Sequence, residues 1–164
     1  MKTFVLLVSR TFPKGHKMEG EQTFFVEKIL AALGFPYLND ENIKKFHTCR
    51  KNYELWAKRI KEVQEGKAVL SLRYWQDERG RSVKGNKQVE FAVLDKDSGV
   101  GVQMLTFDEG SLMQTYANIN NDYNVRIWDL AKNDGLSIDD FKDWFKNYDL
   151  SKPMAIIQFT EFRY

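Results

Sequence analysis

The chain has 164 residues, 43% of them hydrophobic and 14% aromatic, which is enough for a core within one ordinary domain and too aromatic for a disordered tail. Its 25 Lys and Arg against 23 Asp and Glu leave a formal charge of +2, so no bulk basicity marks a nucleic-acid protein and any polyanion contact needs a local patch. A single cysteine excludes a disulfide framework within the chain and fits a reducing, cytoplasmic setting.

Phe4 to Val8 is a short apolar run, below the ~7–15 residues of a secretory core segment, and reads as a buried strand. Nowhere do ~18 apolar residues run together, so no membrane span is expected. A Gly- and Lys-rich loop covers residues 13–20. Phe25, Val26, Ile29, Leu30 and Leu33 then recur at helical spacing until Gly34 and Pro36 stop the helix, and residues 35–45 read as irregular. Tyr53, Trp56, Ala57, Ile60 and Val63 form the apolar face of a second helix over residues 52–64, which Gly66 ends.

Residues 67–75 alternate as a strand does, and residues 77–85 are a charged loop carrying Arg79, Arg81 and Lys84. Strands are predicted over 88–94 and 100–107, joined as a hairpin by the Asp97-Ser98-Gly99 turn. Residues 108–124 are polar and carry no clear assignment; a short helix follows over 125–132. Ser137 is a predicted N-cap, with Asp139 and Asp140 favourably placed in the first turn and Ile138, Phe141, Trp144, Phe145 and Tyr148 as the buried stripe. Pro153 breaks the chain before a last strand over 154–162. With no repeat and no linker, residues 1–164 read as a single domain. The element order predicts an α+β fold with a mainly antiparallel, curved sheet, and a small partly closed barrel is one way to satisfy its edges.

The most concentrated chemistry lies in Lys44-Lys45-Phe46-His47-Thr48-Cys49-Arg50: two amines, an imidazole, a hydroxyl, a thiol and a guanidinium. If this segment is extended, Lys45, His47 and Cys49 share one side and Phe46, Thr48 and Arg50 the other, so a turn at His47 is expected if Lys45 and Thr48 are to meet. On spacing alone a solvated basic loop entering a helix is the better explanation of the segment. His16, His47 and Cys49 are too few soft ligands for a structural zinc site, and no metal or cofactor is expected. His47 and Cys49 lack the third orienting residue of a Cys–His nucleophile. Asp95-Lys96-Asp97-Ser98-Gly99 lacks the terminal Glu of a calcium loop and reads as a turn. Asp134 with Gly135 reads as a loop into the capped helix. Arg73 and Trp75, with Tyr74, Arg79, Arg81 and Lys84, mix aromatics and cations in a way that can stack on unpaired bases, although core packing claims at least one ring.

Taken in order, Lys45 to Arg50, Gly66-Lys67-Ala68-Val69-Leu70, the run from Asp134 to Phe145, and Ile156-Ile157-Gln158-Phe159-Thr160 resemble the ASCH domain family over most of the chain. The resemblance implies a PUA-like fold, a small mainly antiparallel β pseudo-barrel flanked by helices, with RNA or a modified nucleotide bound in a basic cleft beside it. One branch of the family is a small amidohydrolase that deacetylates N(4)-acetylcytidine through a Lys-x-x-Thr-x-Arg segment and an acidic residue before the C-terminal helix. By that resemblance Lys45 is the base, Thr48 the nucleophile, Asp134 the acidic residue and Arg50 the cation, with His47, Arg73 and Trp75 as further candidates for contacting substrate. The chain departs from that branch in carrying Asp at the acidic position, one methylene shorter than Glu, and Ile43 where a glycine is usual. It is also longer, so the 52–64 helix and the 77–85 loop can reshape or cover the cleft. A protein-interaction domain with a vestigial cleft is the third reading. Oligomeric state is left open.

Overall fold

In the computed structural model, residues 1–35, 44–80 and 82–164 are described; Pro36, Ile43, Arg81 and most of the irregular 35–45 stretch lie outside them. The first apolar run forms β1 (Lys2–Leu7), with Leu6 1% exposed. Phe25, Val26 and Ile29 give α1 (Phe25–Ala32) its buried face. The segment singled out for its chemistry is β2 (His47–Lys51), and Asn52, at positive φ, caps α2 (Tyr53–Gln64) by accepting from Leu55 N–H. The chain continues through β3 (Ala68–Trp75), β4 (Gln88–Leu94), β5 (Gly101–Thr106), β6 (Tyr116–Ile119), β7 (Tyr123–Arg126), α3 (Ile127–Asn133), α4 (Ile138–Phe145) and β8 (Met154–Gln158). The α+β expectation holds.

Among the described residues two sheets form, in the orders β1-β3-β4 and β2-β8-β5-β6-β7. Every pairing is antiparallel except β1 with β3, where Leu6 faces Leu72. All five residues of β8 are buried, as a strand paired on both sides within a sheet requires. Trp56, Ile60 and Val63 of α2 pack beneath this sheet, and one apolar cluster joins residues of both sheets and all four helices. Ser137 caps α4 as predicted, accepting from Asp140 N–H at 3.1 Å. No helix of the described residues is long and apolar enough to cross a membrane.

Two local expectations are corrected. The predicted hairpin of β4 with β5 does not form: β4 pairs with β3, β5 pairs with β8 and β6, and the two belong to different sheets. Asp95, Ser98 and Asp97 do make the tight turn, but Gly99 (φ +80°) lies so close to Glu161 that a Cβ there would meet its side chain at 2.5 Å. Gly101 likewise lies against the Arg163 guanidinium, so close packing under the segment after β8 carries the chain into the second sheet. The unassigned polar stretch contains a hairpin, β6–β7, turned by Asn120 and Asn121 at φ +53° and +62°. Asparagine tolerates that left-handed region, which is why a stretch so polar still supports paired strands.

Candidate functional site

β2 stands at one end of its sheet, paired among the described residues with β8 alone, and its side chains alternate between the two faces of the sheet. No turn at His47 is needed: the strand runs extended through it. Just before β2 the main chain is bolted between two helices, with Lys45 N–H donating to Lys28 C=O at 3.0 Å and Phe46 N–H to Asn133 C=O at 2.8 Å. Asp134 ends α3, and Gly135 (φ +79°) turns the chain toward α4. A Cβ at Gly135 would lie 3.1 Å from Lys45 Cβ, so glycine here serves both the backbone angle and the close approach.

These elements leave a cavity of about 350 Å3. Lys45, Thr48, Arg50 and Asp134 all line it, and Phe25, Trp144, Phe145 and Tyr148 supply aromatic wall. Lys45 is 2% exposed, and its ammonium donates to the Asp134 main-chain oxygen at 2.6 Å and to Asp134 Oδ1 at 2.9 Å. It also sits 4.1 Å from the Phe25 ring centroid, a cation–π position. Burial pushes the Lys45 amine below its ordinary range, while the Asp134 carboxylate pulls it back. Among the described residues no hydrogen bond joins Lys45 Nζ to Thr48; the amine is engaged by Asp134. Arg50 donates through Nη2 to Leu7 C=O at 2.6 Å, its buried Nε has no partner among the described residues, and burial pushes its pKa below the ordinary value too.

His47 has no exposed surface and lies outside the cavity lining, so direct contact with a ligand is not where the structure puts it. It lies behind Asp134, with Nδ1 3.4 Å from Asp134 Oδ1 and Nε2 2.5 Å from Tyr164 Oη. Arg73 and Trp75 are also away from the cavity, on β3 of the other sheet. Arg73 Nε donates to Ser71 Oγ at 2.8 Å and its guanidinium lies 3.7 Å from Glu90, while the Trp75 carbonyl accepts from Arg10. The four-residue set from positions 45, 48, 50 and 134 is thus gathered around one hollow; His47, Arg73 and Trp75 are not at its surface.

The aromatic wall was not visible as such in the sequence. Trp144 and Tyr148 have the spacing of a helix stripe, and that pattern is the same whether the stripe faces packed core or an opening. Tyr164 and Asn133 carried no signal at all.

The fold also brings a carboxylate to the His47 and Cys49 pair: His47, Cys49 and Asp134 offer ligand atoms within 4.8 Å of one another, all buried. Three donors of this kind could hold a metal ion. The Lys45 ammonium competes with such an ion for Asp134 Oδ1, which it holds at 2.9 Å.

No protein-family model, no curated protein and no solved structure matches this chain.

Proposed function

We propose that this chain is a PUA-like, ASCH-type domain that takes one nucleoside-sized ligand, a base of RNA or a modified nucleotide, into the Lys45 cavity. The observation that carries the reading is the single hollow of about 350 Å3 that combines a buried amine, a carboxylate, a guanidinium and four aromatic side chains. Flat rings offer a stacking surface to a base, an aspartate accepts from an exocyclic amine such as N4 of cytosine, and cations donate to ring nitrogen or carbonyl oxygen. The volume is at the small end of ligand pockets, which suits one nucleoside rather than a strand. Calorimetric titration with cytidine, N(4)-acetylcytidine and a short single-stranded RNA at low and moderate salt tests it. Nucleoside binding with little salt dependence is the expected result, since the cavity reads a base and few phosphates. Absence of binding by all three at low salt removes the reading.

A second reading, hydrolysis of an N(4)-acyl cytidine, is favoured by one further observation: Lys45, whose amine burial pushes below its ordinary range, and Thr48 line the same cavity. In that reaction Thr48 Oγ attacks the acyl carbonyl as Lys45 Nζ takes its proton. Arg50 steadies the oxyanion, and the C–N4 bond breaks with the proton passing to the leaving amine. Water then releases the acyl group from Thr48. Cytidine release from N(4)-acetylcytidine measures it, and Thr48→Ala is expected to lower the rate at least about a hundredfold while nucleoside binding persists. Full activity in that variant excludes Thr48 as nucleophile.

A further inference from the structure

Behind the cavity a buried polar chain runs from Tyr164 to the Lys45 amine, and its hydrogen bonds have a direction. Asn133 Nδ2 donates to Tyr164 Oη at 3.1 Å. Burial raises the Tyr164 phenol far above its ordinary value, so the hydroxyl keeps its proton and must place it on an acceptor. The acceptor within reach is His47 Nε2 at 2.5 Å. An imidazole that accepts at Nε2 carries its own proton on Nδ1, and burial, by lowering the His47 value, keeps the ring neutral. That Nδ1 lies 3.4 Å from Asp134 Oδ1, the oxygen that Lys45 Nζ holds at 2.9 Å, near enough to act on its charge but without hydrogen-bond geometry among the described residues.

Tyr164 itself is clamped on both sides of its main chain. Its N–H donates to Gln103 Oε1 at 3.0 Å and its main-chain oxygen accepts from Gln103 Nε2 at 3.3 Å; Gln158 Nε2 in turn steadies Gln103 Oε1 at 2.7 Å. Both glutamines are buried. The Phe162 ring packs against Tyr164 edge-on at 5.1 Å and stacks on Phe46 at 5.2 Å, tying the same segment to the start of β2. Two buried amides and an aromatic pair thus hold one phenol against one imidazole.

We infer that Tyr164 is a positioning residue for the cavity: its hydroxyl sets His47 in the Nδ1–H tautomer, which turns the positive edge of the ring toward the Asp134 carboxylate that engages Lys45 at the cavity wall. The inference rests on the nucleoside reading for the ligand, while the tautomer follows from the Asn133–Tyr164–His47 contacts whether or not a nucleoside binds.

Long-range 1H–15N NMR of the histidine rings tests it. His16 is an internal reference because its pattern is the reverse: Nδ1 accepts from Met18 N–H at 2.9 Å, so Nε2 carries the proton toward Asp140 C=O at 3.0 Å. The expected spectrum of the unaltered protein shows one ring of each tautomer. Tyr164→Phe keeps the ring and removes the hydroxyl; it is expected to release His47 from the Nδ1–H form, leave His16 unchanged, and weaken cytidine binding about fivefold to tenfold, as loss of one hydrogen bond does. Two Nε2–H rings in the unaltered protein overturn the inference, and this readout needs no variant to fold. So does a Tyr164→Phe protein with the same His47 tautomer and the same affinity. If the tautomers are as expected and neither protein binds a nucleoside, the ligand reading fails and the Tyr164–His47 assignment is upheld.

Discussion

Two clusters of basic and acidic side chains, each built on a strand, behave as opposites. On β3 and β4, Arg73, Ser71 and Glu90 meet at the edge of the three-stranded sheet with Arg73 30% and Glu90 46% exposed. Before β2, Lys45 and Asp134 meet with 2% and 4% of their side chains exposed. Separation does not rank such pairs: Lys2 and Glu62 lie only 2.6 Å apart, yet Lys2 is 58% exposed. What ranks them is solvent. Two unit charges ~4 Å apart interact by about 1 kcal/mol in water and about 4 kcal/mol in the effective dielectric of a protein surface, while removing either charge from water costs several kcal/mol. The exposed cluster can lose a member and be rescued by hydration, whereas the buried one cannot.

That contrast is broken most forcefully by Asp134→Ala. It strands the Lys45 ammonium without its carboxylate, and a loss of about 3–5 kcal/mol in unfolding free energy is expected from urea titration. A loss below about 1 kcal/mol means that water reaches the pair and the contrast is wrong. A smaller effect is expected from acid. Because burial lowers the folded-state value of His47 below its ordinary 6.5, the unfolded chain binds more protons in the window between the two. Stability contributed by neutral His47 is therefore intact above that window and falls as pH drops through about 6.5 toward the folded-state value. A stability profile from pH 8 to pH 5 checks this, and His47→Gln is expected to flatten the fall. The smallest effect is reserved for the exposed cluster: Arg73→Ala is expected to change stability by no more than about 1 kcal/mol and to leave cytidine affinity unaltered. A strong loss of affinity there brings the β3 face back into the binding reading.

Elements with a single-period apolar pattern were legible in the sequence: the helices with Trp56, Ile60 and Val63, and with Phe141 and Phe145, and β8, apolar over Met154 to Ile157. Pairing was not. The Asp97-Ser98-Gly99 turn is a sound local prediction whose flanking strands nevertheless join different sheets, because partner choice depends on what lies across each strand rather than on the turn between them. The β6–β7 hairpin escaped because its strands are four residues each and bury only Ala117, Ile119 and Val125, too short an alternation to stand out from the polar stretch around them.

For the site the division is equally sharp. The resemblance of ordered sequence motifs to a known family marked Lys45, Thr48, Arg50 and Asp134 as a group worth following, while alternating and helical periodicities by themselves determined the α+β class. Whether an amine at position 45 sees water or a carboxylate 89 positions further on was decided by the tertiary structure, through an edge strand, a glycine at position 135 that lets two chains touch, and a phenol held in place by buried amides. Periodicity records which side of an element is apolar, but desolvation belongs to the space between elements, and only folding creates that space.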